Sequence, residues 1–266
     1  MAHRPAIVNV MAGAALKAAR GLVRDFGEVE QLQVSKKGPA DFVSEADRRA
    51  ERVLKAELHK GRPAYGFLME ESGEESGAEG APRWLVDPLD GTTNFLHGLP
   101  HFAISIAVED KGEITAGLIY DPIKDEMFWA VRGAGAYLND RRLRVSARRD
   151  MQACLLATGI PFAGRGGYDA FSAILAAIMP QVAGVRRFGS AALDLAYVAA
   201  GRYDGYWEQQ LARWDIGAGI LLVQEAGGLV TDIKGGANML ATGSVIAANG
   251  AVHSRLHKMV HRAAKG

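Results

Sequence analysis

Cysteine is nearly absent. Cys154 is the one thiol among 266 residues, so no internal disulfide can form and a reducing, cytoplasmic setting is expected. It lies in the apolar run Ala153-Cys154-Leu155-Leu156, which reads as a buried, inert thiol rather than a nucleophile. An excess of one charge is also missing: 31 basic against 30 acidic residues leave a formal net charge of +1. Such a chain offers no global field to nucleic acid or membrane, so neither is an expected partner and strong charge must be local. No apolar stretch approaches the roughly 20 residues that span a bilayer. The N-terminal segment is no signal peptide, because its apolar residues recur at helical spacing and basic residues interrupt them. Internal repeats and low-complexity linkers are absent too.

What is present is a chain that is 48% hydrophobic, ample for one large core or two intimate halves. Residues 3–26 read as an amphipathic helix and Ser44 to Leu58 as a second, separated by a lysine-rich Gly-Pro loop. Residues 71–83 read as a polar loop, and WLVD as a short strand stopping at an aspartate. From Phe102 to about Val145, FAISIAVED, EITAGLIYD and EMFWAVRG alternate with period two, as successive antiparallel strands do. Beyond Met151 strands and helices alternate, ending in a basic helix. The pattern predicts an α+β half over 1–145 and an α/β half over 146–266, sharing one site.

The chemistry concentrates in WLVDPLDGTTNF, residues 84–95. A strand delivers Asp87 and then Asp90, and two carboxylates so close are best tolerated with cations between them. An all-oxygen donor set suits Mg²⁺ or Mn²⁺ rather than zinc. Gly91-Thr92-Thr93 follows, a turn whose free backbone N–H groups suit an anion. Asp-x-x-Asp alone would read rather as a surface turn capping a helix; the preceding strand and the Gly-Thr-Thr turn tip it toward function. Glu70 and Glu71 end a second apolar run, although Glu71 also reads as the start of the acidic loop. Asp215 opens a long apolar helix, where an acid satisfies the helix dipole. Asp47 follows Ser44 by three residues, a capping-box spacing. His97 and His101 have no second histidine pair to make a zinc site and read as packing residues. Phe128 and Trp129 read as core or subunit interface.

Together these segments resemble the inositol monophosphatase family over nearly the whole chain. WLVDPLDGTTNF is similar to its first signature, and WDIGAGILLVQEAGG, residues 214–228, to its second. DFVSEAD, residues 41–47, and EES, residues 70–72, are similar to two shorter motifs. The chain departs from the pattern at Met69, where glycine is usual. The resemblance implies a layered α-β-α-β-α fold, a homodimer, two or three Mg²⁺ ions and sensitivity to lithium. It implies that Glu70, Asp87, Asp90, Asp215 and the Leu89 carbonyl bind metal. Thr92 and Asp47 would orient and deprotonate the attacking water, with Glu70 beside them in the catalytic group. Gly91 and Thr92 would hold the phosphate, while Asp90, Asp215, Gly189, Ser190 and Ala191 would line the substrate. Glu208 would accept hydrogen bonds from substrate hydroxyls. Lys36, on a mobile loop, would approach the metals, and Arg186 would shape the substrate side or a subunit interface. The expected activity is hydrolysis of inositol 1-phosphate. The alternatives are histidinol phosphate, a sugar or nucleotide phosphate, or a regulatory protein that kept the fold.

Overall fold

Along residues 83–90, alternation sends Trp84 and Val86 into one hydrophobic cluster and Leu85 into another. That parity sets the layers of the molecule. The structure is a computed structural model describing residues 4–28, 34–38, 41–162, 164 and 166–264, with backbone alone for 34–38 and 41–44. Eight strands form one sheet in the order β10-β9-β8-β7-β6-β5-β3-β4. They are β3 (Gly66–Met69), β4 (Gly73–Glu75), β5 (Arg83–Asp90), β6 (Ala103–Asp110), β7 (Glu113–Asp121), β8 (Glu126–Val131), β9 (Gly135–Leu138) and β10 (Arg141–Arg142). Only β3 and β5 run parallel; the rest of the ladder is antiparallel. A second sheet, ordered β12-β11-β13-β15-β14, combines β11 (Leu155–Thr158), β12 (Gly184–Arg186), β13 (Gly205–Glu208), β14 (Leu229–Thr231) and β15 (Val245–Ala248).

Helices α1 (Ala6–Phe26) and α2 (Glu45–Gly61) cover the face of the large sheet that carries Trp84 and Val86. On its other face, α5 (Ala191–Ala199) and α6 (Arg213–Glu225) fill the space between the two sheets. Helices α4 (Tyr168–Ile178) and α8 (His253–Ala263) back the small sheet. The result is the α-β-α-β-α layering that the resemblance implied. The middle layer is thin because α6 carries glycine where neighbours come closest. A Cβ at Gly219 would stand 2.5 Å from the Leu195 side chain.

Several local expectations need correction. Residues 34–44, expected as a loop, form a hairpin of β1 (Val34–Gly38) and β2 (Asp41–Ser44), with an irregularity between Lys36 and Gly38. The acidic segment after Glu71 contains β4, which pairs with β3. The strands β9 and β10, and the short helices α3 (Thr92–Leu96) and α7 (Met239–Thr242), add to the sequence pattern. Finally, α1 is long and apolar enough by composition to cross a membrane, the one such helix among the described residues. Yet Val8, Met11, Ala15 and Leu22 along it are buried against α2 and the sheet, and it serves as a core helix.

Candidate active site

Residues three apart on a regular strand face opposite sides, so Asp87 and Asp90 could not converge from an uninterrupted β5. The pairing with β6 breaks between them: Asp87 lies opposite Ser105 and Asp90 opposite Ala103. Three steps on β5 are matched by two on β6, the signature of a bulge. Pro88, which has no N–H to give a ladder, sits inside it. The bulge turns both aspartates into one pocket of about 390 Å³. Glu70 joins them from the end of β3, its N–H donating to the Val86 carbonyl at 3.2 Å. Asp215 enters from the first turn of α6.

Each aspartate is fixed by donors. The Leu89 N–H donates to Asp87 Oδ1 at 2.9 Å, and the Ala212 N–H to Asp215 Oδ2 at 2.7 Å. Asp90 Oδ2 accepts from Ser190 Oγ at 2.6 Å and from the Ala192 N–H at 2.7 Å, which binds the large sheet to α5. Ser190 caps that helix by accepting from the Leu193 N–H. Burial, and then the neighbouring carboxylates, push Asp87 and Asp215 well above the ordinary carboxylate range. Asp90 is raised by the same burial, against the hydrogen bonds it accepts.

Among the described residues no three His, Cys, Asp or Glu side chains already stand as a closed metal cage. The chemistry of the donor set nonetheless fits a hard divalent cation. Of the carboxylates lining this pocket, Glu70, Asp87, Asp90 and Asp215 stand with Leu89, all donors are oxygen, and repulsion from neighbouring carboxylates adds to burial in disfavouring the charged forms of Asp87 and Asp215. A cation among them removes that repulsion.

Thr92 and Asp47 meet across the sheet edge. Thr92 Oγ1 lies 3.0 Å from Asp47 Oδ1 and 3.0 Å from the Leu89 carbonyl. Asp47, on the first turn of α2, is fully buried. Gly91 takes φ +101°, where a Cβ would stand 3.0 Å from the His101 carbonyl, so this turn requires glycine. Gly189 (φ +82°), Ser190, Ala191 and Glu208 complete the wall. Tyr206 Oη donates to Glu208 Oε2, and burial pushes Glu208 up to about 7. Glu51, one turn beyond Asp47, accepts from the Glu71 N–H at 2.9 Å and so steadies the segment carrying Glu70. Met69 is fully buried with Phe67 in the core beneath α2, so the side chain that replaces the family's glycine points away from the pocket.

Other candidates fall elsewhere. Lys36 lies on β1, and its side chain is outside the described residues. Arg186 does not line the pocket: its side chain bonds the Val185 carbonyl, and the next residue, Arg187, lines the wall instead. Sequence reasoning passed over Arg187. It also passed over Gly159, where a Cβ would stand 1.8 Å from Glu208 Oε1, and Asp194, a buried acid whose oxygens have no hydrogen-bond partner among the described residues. His101 packs against the Phe188 and Tyr197 rings at 5.2 and 6.0 Å. A larger cleft of about 600 Å³ lies at the start of β5, but its arginines pair with its glutamates. There Arg83 and Arg213 both bond Glu109, and Arg132 bonds Glu113.

A carboxylate-walled pocket at a strand end, closed by a glycine-led turn, suits cation-assisted chemistry on phosphate esters. The model of the inositol monophosphatase family matches residues 5–265, and the chain belongs to that family. It is 55% identical to the inositol-1-monophosphatase of Rhizobium meliloti over 97% of each chain. It is 45% identical to the Nus factor SuhB of Escherichia coli over 91% of each. Its fold superimposes on the crystal structure of the extragenic suppressor protein suhB from Bartonella henselae with a TM-score of 0.94, at 56% identity, covering 96% of this chain and 98% of that one.

Proposed function

We propose that this protein is a magnesium-dependent phosphatase that releases phosphate from inositol 1-phosphate. The observation that carries the reading is the convergence of Glu70, Asp87, Asp90 and Asp215 on one pocket, with the hydrogen-bonded Thr92–Asp47 pair at its edge. The Rhizobium relative, at 55% identity over nearly the full length, carries the matching name.

Glu70, Asp87, Asp90, Asp215 and the Leu89 carbonyl would hold the magnesium. When bound, two or three such ions neutralise the phosphate oxygens, acidify the attacking water and steady the leaving oxygen. The protein's own groups do the rest. Thr92 has one hydroxyl proton and two nearby acceptors. With that proton directed at Asp47 Oδ1, the Thr92 lone pairs can accept a proton from the attacking water. Thr92 then relays its own proton to Asp47. The backbone N–H groups of Gly91 and Thr92 hold the phosphate. Gly189, Ser190 and Ala191 shape the wall around the polyol, and Glu208 accepts from its hydroxyls.

The reading includes two halves, 1–145 and 146–266, sharing the site, a homodimer, and action in the cytoplasm. Phosphate release from inositol 1-phosphate, histidinol phosphate, fructose 1,6-bisphosphate and 3′-phosphoadenosine 5′-phosphate tests it, with Mg²⁺, with chelator and with Asp90→Asn. Release that needs Mg²⁺ and collapses in the variant is expected. A folded protein that binds Mg²⁺ yet hydrolyses none of the four refutes it. The name of the E. coli relative, a Nus factor, favours a second reading, an added regulatory contact with Nus-factor partners. Capture of Nus factors from the cell by the tagged Asp90→Asn protein tests it, and no capture refutes the contact.

A further inference from the structure

Five side chains lining the pocket are acidic: Glu70, Asp87, Asp90, Glu208 and Asp215. Among the described residues a single one, Arg187, is cationic. Arg187 follows β12 and stands two residues before Gly189. The guanidinium folds back over that turn, since a Cβ at Gly189 would stand 2.5 Å from Arg187 Nη1. Its positive charge acts on two acids at this end of the pocket, Glu208 and Asp194, and opposes the effect of their burial. Yet Arg187 makes no hydrogen bond or ion pair with the described residues, unlike Arg83, Arg132 and Arg213 in the larger cleft. A fork of donors is therefore free beside a carboxylate whose own position is fixed by Tyr206.

We propose that Arg187 and Glu208 together read a pair of neighbouring hydroxyls on the phosphorylated polyol. The assignment rests on the phosphatase reading above. A vicinal diol offers one O–H to donate and an adjacent oxygen to accept. Glu208 takes the donor and the Arg187 fork takes the acceptor. A second anionic group fits this end less well, because it would face Glu208 and the buried Asp194 as well as Arg187. The cation also offsets part of the negative wall without entering the cluster of metal-binding acids. Arg187 is thus a specificity residue, and the substrate class is a monophosphate with neighbouring free hydroxyls.

The test compares wild type, Arg187→Ala, Arg187→Lys, Glu208→Gln and the Arg187→Ala/Glu208→Gln double variant. Their kcat and KM are measured on inositol 1-phosphate, 4-nitrophenyl phosphate and fructose 1,6-bisphosphate. Loss of a hydrogen bond from a charged donor predicts that Arg187→Ala lowers the kcat/KM ratio of inositol 1-phosphate over 4-nitrophenyl phosphate by about 10-fold or more, through KM. Lysine restores part of it, because a point charge lacks the fork. The double variant loses less than the product of the single losses. An unchanged ratio overturns the assignment, as does a larger loss on the bisphosphate than on inositol 1-phosphate. Calorimetric binding of free inositol, weakened in Arg187→Ala, gives a readout apart from turnover. A wild-type protein that hydrolyses none of the esters refutes the phosphatase reading itself, whereas turnover with an unchanged ratio refutes only Arg187.

Discussion

Thr92 Oγ1 stands 3.0 Å from Asp47 Oδ1, although the two residues are 45 positions apart in sequence. One belongs to the turn after β5 and the other to the start of α2. The contact is therefore made by packing α2 onto the sheet, and the proposed proton relay depends on that layer. Thr92→Ala and Asp47→Asn are expected to lower kcat by about 10²–10⁴-fold, the usual range for a positioned proton acceptor. Thr92→Ser keeps the hydroxyl and loses far less. Steady-state kinetics on inositol 1-phosphate decide the matter, and a fall confined to KM would count against the relay.

Asp90→Asn separates stability from activity. Burial raises this acid and nearby carboxylates repel it, so removing its charge relieves the chelated protein. Relief of about 1 kcal/mol corresponds to about 2–4 °C in a chain of this size. Thermal melts in chelator are expected to show the variant at or above wild type. Added Mg²⁺ then raises the wild-type melting temperature and leaves the variant nearly unmoved. Equal magnesium stabilisation of both proteins would remove Asp90 from the ligand set.

Gly159→Ala tests the wall behind Glu208. The new Cβ collides with the far end of a flexible side chain, so the carboxylate moves and the fold survives. The expected outcome is a melting temperature close to wild type with a KM for inositol 1-phosphate raised as in Glu208→Gln. A variant that unfolds instead would show Gly159 to be structural.

His101 sets a pH dependence of stability. Burial, and then the charge of Lys124, hold its ring at about 4, below the value of 6.5 for a free histidine. Between those values the unfolded chain binds a proton that the folded chain does not. Stability is therefore lost as pH falls from 6.5 toward 4. Urea unfolding at pH 7 and pH 5 is expected to show a larger loss for wild type than for His101→Gln. Equal losses would mean that the ring is protonated in the fold.

Cys154 is fully buried, and burial pushes its thiol up to about 11. Alkylation of the folded protein at pH 8 is expected to be slow and to become fast in denaturant.

The legible part of the site was the part written in contiguous segments. Asp87, Asp90 and Thr92 share one stretch, and the apolar α6 announces Asp215. Asp47, whose spacing also fits a capping box, becomes distinctive only when Thr92 arrives from elsewhere. Residues that packing selects stayed hidden. Nothing local tells Arg187 from Arg186, because strand β12 ends between them and the next turn decides which one faces the pocket. Gly159 reads as an ordinary loop glycine until Glu208 is laid against it. The β1–β2 hairpin has lysines, glycine and proline where alternating apolar residues would have signalled strands, so its pairing could not be read from composition.

The bulge in β5 makes the site a matter of counting as well as chemistry. Remove one residue between Asp87 and Asp90, and the ladder to β6 could close without a break; the two carboxylates, now two positions apart, would still share a face, but the bulge that brings the Leu89 carbonyl against Thr92 Oγ1 would be straightened away. Such a shortened chain would keep every acid, yet lose the backbone path that seats the turn after β5 against Asp47. An insertion or deletion at Pro88 or Leu89 is therefore a simple route by which a descendant of this protein could retire from catalysis and persist as a scaffold.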